Sequence, residues 1–154
     1  MLEYHSVQQS SVGNSMKLIR NTGTDRVIDL LRPQLAVGRQ CDIVTSAVSV
    51  FAFAEMRHEL SALERCRLVL PPAGADLAVL GTDADRAARN RLQTRCLAGQ
   101  LSEWLERKTE VRRALGAVPQ GAFVLRDGES RPQQALLGSL AFSTDGLGLT
   151  PAIR

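Results

Sequence analysis

Val118-Pro119-Gln120-Gly121-Ala122-Phe123-Val124-Leu125-Arg126-Asp127-Gly128, followed by Ala135-Leu136-Leu137-Gly138-Ser139-Leu140-Ala141-Phe142-Ser143-Thr144-Asp145-Gly146-Leu147-Gly148, is the stretch that decides the fold of this chain. Two apolar runs flank a polar Arg/Asp/Gly segment, and the second runs into a Gly-Ser pair. Short apolar runs bounded by turn residues read as strands. The segment therefore reads as two strands joined by a polar loop, with a polar turn after the second.

Upstream, a second pattern sets the class. Asp42-Ile43-Val44-Thr45-Ser46-Ala47-Val48-Ser49 is rich in β-branched residues and runs into Phe51-Ala52-Phe53-Ala54, the expected start of a helix through Leu63. Arg67-Leu68-Val69-Leu70 then gives a short buried strand, stopped by Pro71-Pro72. Strand, helix and strand at this spacing make a right-handed βαβ unit with a parallel pair. Leu77–Leu80 adds a possible further strand. Thr24-Asp25 is placed to cap a short helix carrying Val27, Ile28, Leu30 and Leu31, ended by Pro33. The expected fold is α/β, a mixed sheet flanked by helices.

A long helix is expected over 83–108. Leu97, Leu101, Trp104 and Leu105 fall at i, i+4, i+7 and i+8, which is a core stripe. In its first half, Arg86 and Arg89 project within about 60° of that stripe at the helical period. Arginines turned inward need either carboxylates or a bound anion. Asp83 and Asp85 are the nearby carboxylates, so salt bridging and phosphate binding both stand as readings. Val111-Arg112-Arg113-Ala114-Leu115 leads from this helix into the paired strands as a short strand or bend.

With 154 residues, 44% hydrophobic and 23% charged, the chain has the size and composition of one globular domain. Residues 1–15 are polar and unpatterned and are expected to be disordered, with the domain spanning 16–154 and Met16 a candidate start. No apolar run approaches the about 20 residues of a membrane span, nor does residue 1–15 read as a signal peptide. Cys41, Cys66 and Cys96 are odd in number and widely spaced, which favours neither a disulfide framework nor a zinc site. A reduced, cytoplasmic protein without metal or cofactor is the expectation.

Formal net charge is only +3, but of 19 basic residues just Lys17 and Lys108 are lysine. Arginine's planar fork matches phosphate bidentately. A GC-rich coding sequence, which raises Arg, Ala, Gly and Leu together, explains the same bias.

Those two closing strands resemble the catalytic half-site of the phospholipase D superfamily, in which a His-x-Lys-x(4)-Asp strand precedes a Gly-Ser turn and a Gly-Leu pair. Asp127, Gly138, Ser139, Phe142, Gly146 and Leu147 match that pattern. More narrowly, Thr45-Ser46-Ala47-Val48-Ser49-Val50-Phe51-Ala52-Phe53, Asp85-Arg86-Ala87-Ala88-Arg89-Asn90-Arg91-Leu92 and Val118-Pro119-Gln120-Gly121-Ala122-Phe123-Val124 look like the phospholipase D-like domain at the N-terminus of some bacterial Swi/Snf-type (DEAD/DEAH) helicases. The resemblance covers nearly the whole chain. It implies one half-domain with its last strand and helix missing, a twofold or pseudo-twofold cleft, a homodimer, and DNA and a helicase domain or subunit as partners in a helicase or restriction/defence machine.

In that superfamily one His attacks phosphorus, a second protonates the leaving oxygen, and a Lys stabilises the charge. Gln120 stands at the first His and Ala122 at the Lys. Gln120 offers no nucleophilic nitrogen and no proton titrating near neutrality, so the reactive pair needed for nucleophilic and acid–base catalysis is gone. The only histidines are His5 and His58, and neither lies in the pattern. The resemblance thus implies a degenerate domain that binds or positions DNA through Gln120, Gly138, Ser139, Ser143 and Thr144, with Arg86 and Arg89 supplying charge. The rival readings are a dimerisation or partner-docking module without nucleic acid, and a phosphodiesterase completed by another chain.

Overall fold

The computed structural model describes residues 15–81, 83, 85 and 91–149. In chain order they form α1 (Val27–Leu31), a 3-10 turn (Arg32–Gln34), β1 (Gln40–Val44), α2 (Val50–Ala62), β2 (Arg65–Leu70), α3 (Arg91–Lys108), β3 (Thr109–Arg113), β4 (Gly121–Arg126) and β5 (Pro132–Gly138). The strands make one mixed sheet in the order β3-β2-β1-β4-β5. β1, β2 and β3 are parallel neighbours, while β4 runs antiparallel to both β1 and β5. The expected βαβ unit and the closing strand pair are both present, and the fold is α/β.

Chirality places the helices. Both crossovers, β1–α2–β2 and β2–α3–β3, advance in the same direction along the sheet, and right-handed crossovers of that kind put their helices on one face. α2 and α3 pack against each other there. Arg32, next to α1, pairs with Glu59 of α2 at 2.8 Å, so the first helix joins the same layer. Strand side chains alternate faces. Cys41, Ile43, Cys66, Leu68, Phe123, Leu125 and Leu136 point into that layer and form the core with Phe53, Met56 and Leu60 of α2 and Leu97, Leu101 and Trp104 of α3. The stripe expected on α3 is core, with Leu105 at its margin.

Four local expectations are corrected. Leu77–Leu80 is not a strand: Ala78 takes a positive φ of 49°, which breaks extended pairing. Its neighbours' carbonyls instead receive single bonds, Leu77 from the Val48 amide and Val79 from the Val50 amide, both at 2.9 Å. Thr24 and Asp25 do not cap α1, whose N-cap position is Arg26 without a side-chain bond. Asn21 serves the helix from outside, its Oδ1 accepting the Val27 amide at 3.0 Å. Pro33 does not stop that helix abruptly but lies inside the 3-10 turn that extends it, where its missing N–H costs nothing. The long helix does not begin at 83, since Asp83 and Asp85 have 3-10 geometry and the described α-helix starts at Arg91. The expectation of disorder over 1–15 falls almost wholly outside the described residues.

Candidate functional site

The carboxyl ends of β1 and β2 meet the start of β4 and the end of β5 at one edge of the sheet. Two loops cross there, 45–49 before α2 and 139–147 after β5. Cα pairing of Gly121 with Gly138 is the last rung of the β4–β5 ladder, so Gln120 and Ser139 both follow it directly at this end of the sheet. Gly121 has a steric reason to be glycine, because a Cβ would overlap the Leu140 carbonyl oxygen as the loop folds across the strand end. Gly138 has a conformational one, a φ of 142°.

Most polar groups at this edge are already used. Thr45 Oγ1 donates to the Ala47 carbonyl at 2.7 Å and accepts the Phe142 amide at 2.8 Å. Ser49 caps α2, its Oγ accepting the Phe51 amide at 3.2 Å and the Ala52 amide at 3.4 Å. With the Val50 amide bonded to Val79, the first turn of α2 has no free donor for an anion. Ser143 Oγ accepts the Gly146 amide at 3.1 Å, and Thr144 Oγ1 donates to the buried Asp85 carboxylate at 2.8 Å. Ser143 and Thr144, assigned from sequence to phosphate, are buried and tie their loop down.

Gln120 and Ser139 differ from them. Both are exposed, and neither side chain has a hydrogen-bond partner among the described residues. They are an amide and a hydroxyl that this edge offers to a ligand. Arg86 and Arg89 lie outside the described residues. Sequence reasoning passed over Arg113, the last residue of β3. It is exposed at the same end of the sheet, and its guanidinium donates to the Pro71 carbonyl at 3.2 Å, with no carboxylate paired to it among the described residues. Three strand spacings separate it from β4, about 14 Å at 4.8 Å each. A signal was there to find, since Arg112-Arg113 ends a short apolar-to-basic run on the approach to the paired strands.

His58 is exposed on α2, eight residues beyond its first residue. At the helical rise it stands about 12 Å down the axis from this edge, away from Gln120. Asp127 sits at the opposite end of β4. Its carboxylate accepts the Glu129 and Arg131 amides and the Arg131 guanidinium, each at 2.9 Å, and so holds the turn between β4 and β5. The Arg131 amide bond is the main cause holding that carboxyl below its ordinary range. Among the described residues no group of His, Cys, Asp and Glu is arranged to hold a metal, and no helix is long and apolar enough to cross a membrane.

Comparison with protein families, with curated proteins and with solved structures finds no match.

Proposed function

We propose that this chain binds the phosphodiester backbone of DNA at the carboxyl edge of its sheet and does not cleave it. The observation carrying the reading is the contrast at that edge. Gln120 and Ser139 stand exposed at the end of one ladder, uncommitted among the described residues, while Thr45, Ser49, Ser143 and Thr144 are spent on holding the loops. An amide N–H and a hydroxyl are suitable donors to phosphate oxygens. Arg113 contributes charge from β3, and Arg86 and Arg89 keep the role the resemblance gives them. Catalysis does not follow, because a carboxamide at 120 and a methyl at 122 supply neither nucleophile nor charge for the transition state. Positioning DNA for a partner helicase is the activity that fits such a site.

The test is paired. Purified protein is mixed with labelled single- and double-stranded oligonucleotides and, separately, with bis-nitrophenyl phosphate. We expect binding at low salt, weakened by Ser139→Asp and by Arg113→Ala, and no hydrolysis with or without magnesium. Turnover that survives further purification and disappears in Gln120→Ala would replace this reading with that of an active phosphodiesterase.

A further inference from the structure

The helices cover one face of the sheet; among the described residues no helix covers the other. Over much of that open face β1 and β2 alternate polar side chains outward, Gln40, Asp42, Arg65 and Arg67, as a face toward water does, but its corner at the carboxyl ends of β1 and β2 is apolar. One row across it is Val69, Val44, Ala122 and Leu137, and the next holds Val124 and Ala135, each set by strand register. Leu137 is 73% exposed. Three strand spacings make that first row about 14 Å wide. Ala135 and Leu137 are exposed and the four others half-buried, a contiguous apolar stretch of the kind that fits an interaction surface.

Charge borders the patch on the same face. Asp42 is held by Arg67 at 2.6 Å and by Arg126 at 2.7 Å. Glu110 is held by Arg65 at 2.7 Å and by Arg112 at 2.8 Å. Four guanidinium groups share two carboxylates, which leaves the border positive. We propose that this face docks an amphipathic helix of a partner protein, apolar along the sheet and acidic along its flank. Such a helix, three or four turns long, spans the patch at about 5.4 Å per turn and brings carboxylates to arginines that have bonding capacity left.

A second copy of the chain fits less well. Its own two carboxylates are already shared between arginines, so it would set surplus guanidinium against surplus guanidinium. Nucleic acid fits less well, because the arginines only border the patch, and its valine, alanine and leucine centre offers phosphate nothing. The surface abuts the Gln120/Ser139 edge, because Ala122 and Leu137 lie two residues from them, but it is argued from other side chains, so this inference does not rest on DNA binding.

A fluorescein-labelled 18-residue peptide tests it, with Leu and Ala on one helical face and Glu along the flank. Controls carry Lys in place of Glu, or the same residues in scrambled order. We expect saturable anisotropy binding of the Glu peptide, at least tenfold weaker binding of both controls, and loss of binding in Leu137→Asp. That variant sits at an exposed position, and its thermal melt shows whether the fold is kept. Ala135→Glu, also exposed, gives a second independent readout. No saturable binding of the Glu peptide, equal binding of all three, or no effect of either variant overturns the proposal. So does a wild-type dimer in sedimentation that Leu137→Asp dissociates, since the occupant is then a second copy.

Discussion

Thr45 and Phe142 are joined across 97 positions of sequence by a hydrogen bond of 2.8 Å, from the Phe142 amide to the Thr45 hydroxyl. Both residues are fully buried. This bond, with the Ser49 amide donating to the Phe142 carbonyl at 2.8 Å, pins the loop that carries Ser139 to the end of β1. The placement of Ser139 at the end of the β4–β5 ladder depends on it.

Thr45→Val should therefore destabilise the protein by about 1–3 kcal/mol, the cost of stranding a buried donor. Thr45→Ser, which keeps the oxygen, should lose less. Urea unfolding of the two variants checks this, and equal losses would mean that the methyl group and not the hydroxyl matters.

Trp104 is 5% exposed, with its ring centroid 5.5 Å from that of Phe53. We expect a blue-shifted emission maximum in the folded state, and a loss of about 3–5 kcal/mol in Trp104→Ala. The indole N–H is buried without a hydrogen-bond partner among the described residues. Trp104→Phe deletes that group along with part of the ring, so its cost should fall well below that of alanine. A solvent-like emission maximum would contradict the placement.

Much of this architecture was readable from residue pattern, for identifiable reasons. Val124 and Leu125 lie between Gly121 and the Asp127 turn, and that punctuation marks a strand whatever surrounds it. The Leu97/Leu101/Trp104 stripe sits at helical spacing on a helix that buries one side. What escaped depends on tertiary partners. Leu77–Leu80 has strand-like composition, yet its carbonyls serve single amides of the α2 approach and Ala78 turns the chain. Ser143 and Thr144 look like free hydroxyls in a polar loop; only Gly146 and Asp85 reveal that they face inward. The open sheet face was equally hidden, because strand periodicity says that two faces differ but not which elements cover them.

Thiol reactivity should split. Burial pushes the Cys66 thiol up to about 12 and the Cys41 thiol well above its ordinary value, and both side chains lie in the core. Cys96 is exposed on α3. Thiolate is the reactive species. Ellman's reagent should titrate one cysteine rapidly in the native protein and the other two only on unfolding; Cys96→Ser should abolish the fast phase.

Acid should weaken the network on the open face. Burial alone would raise the Asp42 carboxyl, but hydrogen bonds from Arg67 and Arg126 outweigh it and hold the group below its ordinary value. A carboxyl depressed in the folded state contributes stability above its unfolded pKa, about 3.9, and that contribution disappears as pH falls through the folded value. Stability should thus drop below about pH 4, and Asp42→Asn should flatten that limb of the profile. An unchanged acid limb in Asp42→Asn would assign the loss to other carboxylates.

DNA affinity as a function of salt is the most direct test of the central claim. Backbone binding releases counterions, so log affinity for duplex DNA should fall linearly with log salt, by about 0.9 for each phosphate contacted. With contacts limited to phosphate, sequence preference should be small. We expect Arg113→Ala to lower both affinity and slope, and Ser139→Asp to lower affinity without changing the thermal melt. No binding by folded wild-type protein at low salt, or binding untouched by Ser139→Asp and Gln120→Glu, would contradict a phosphate-binding edge.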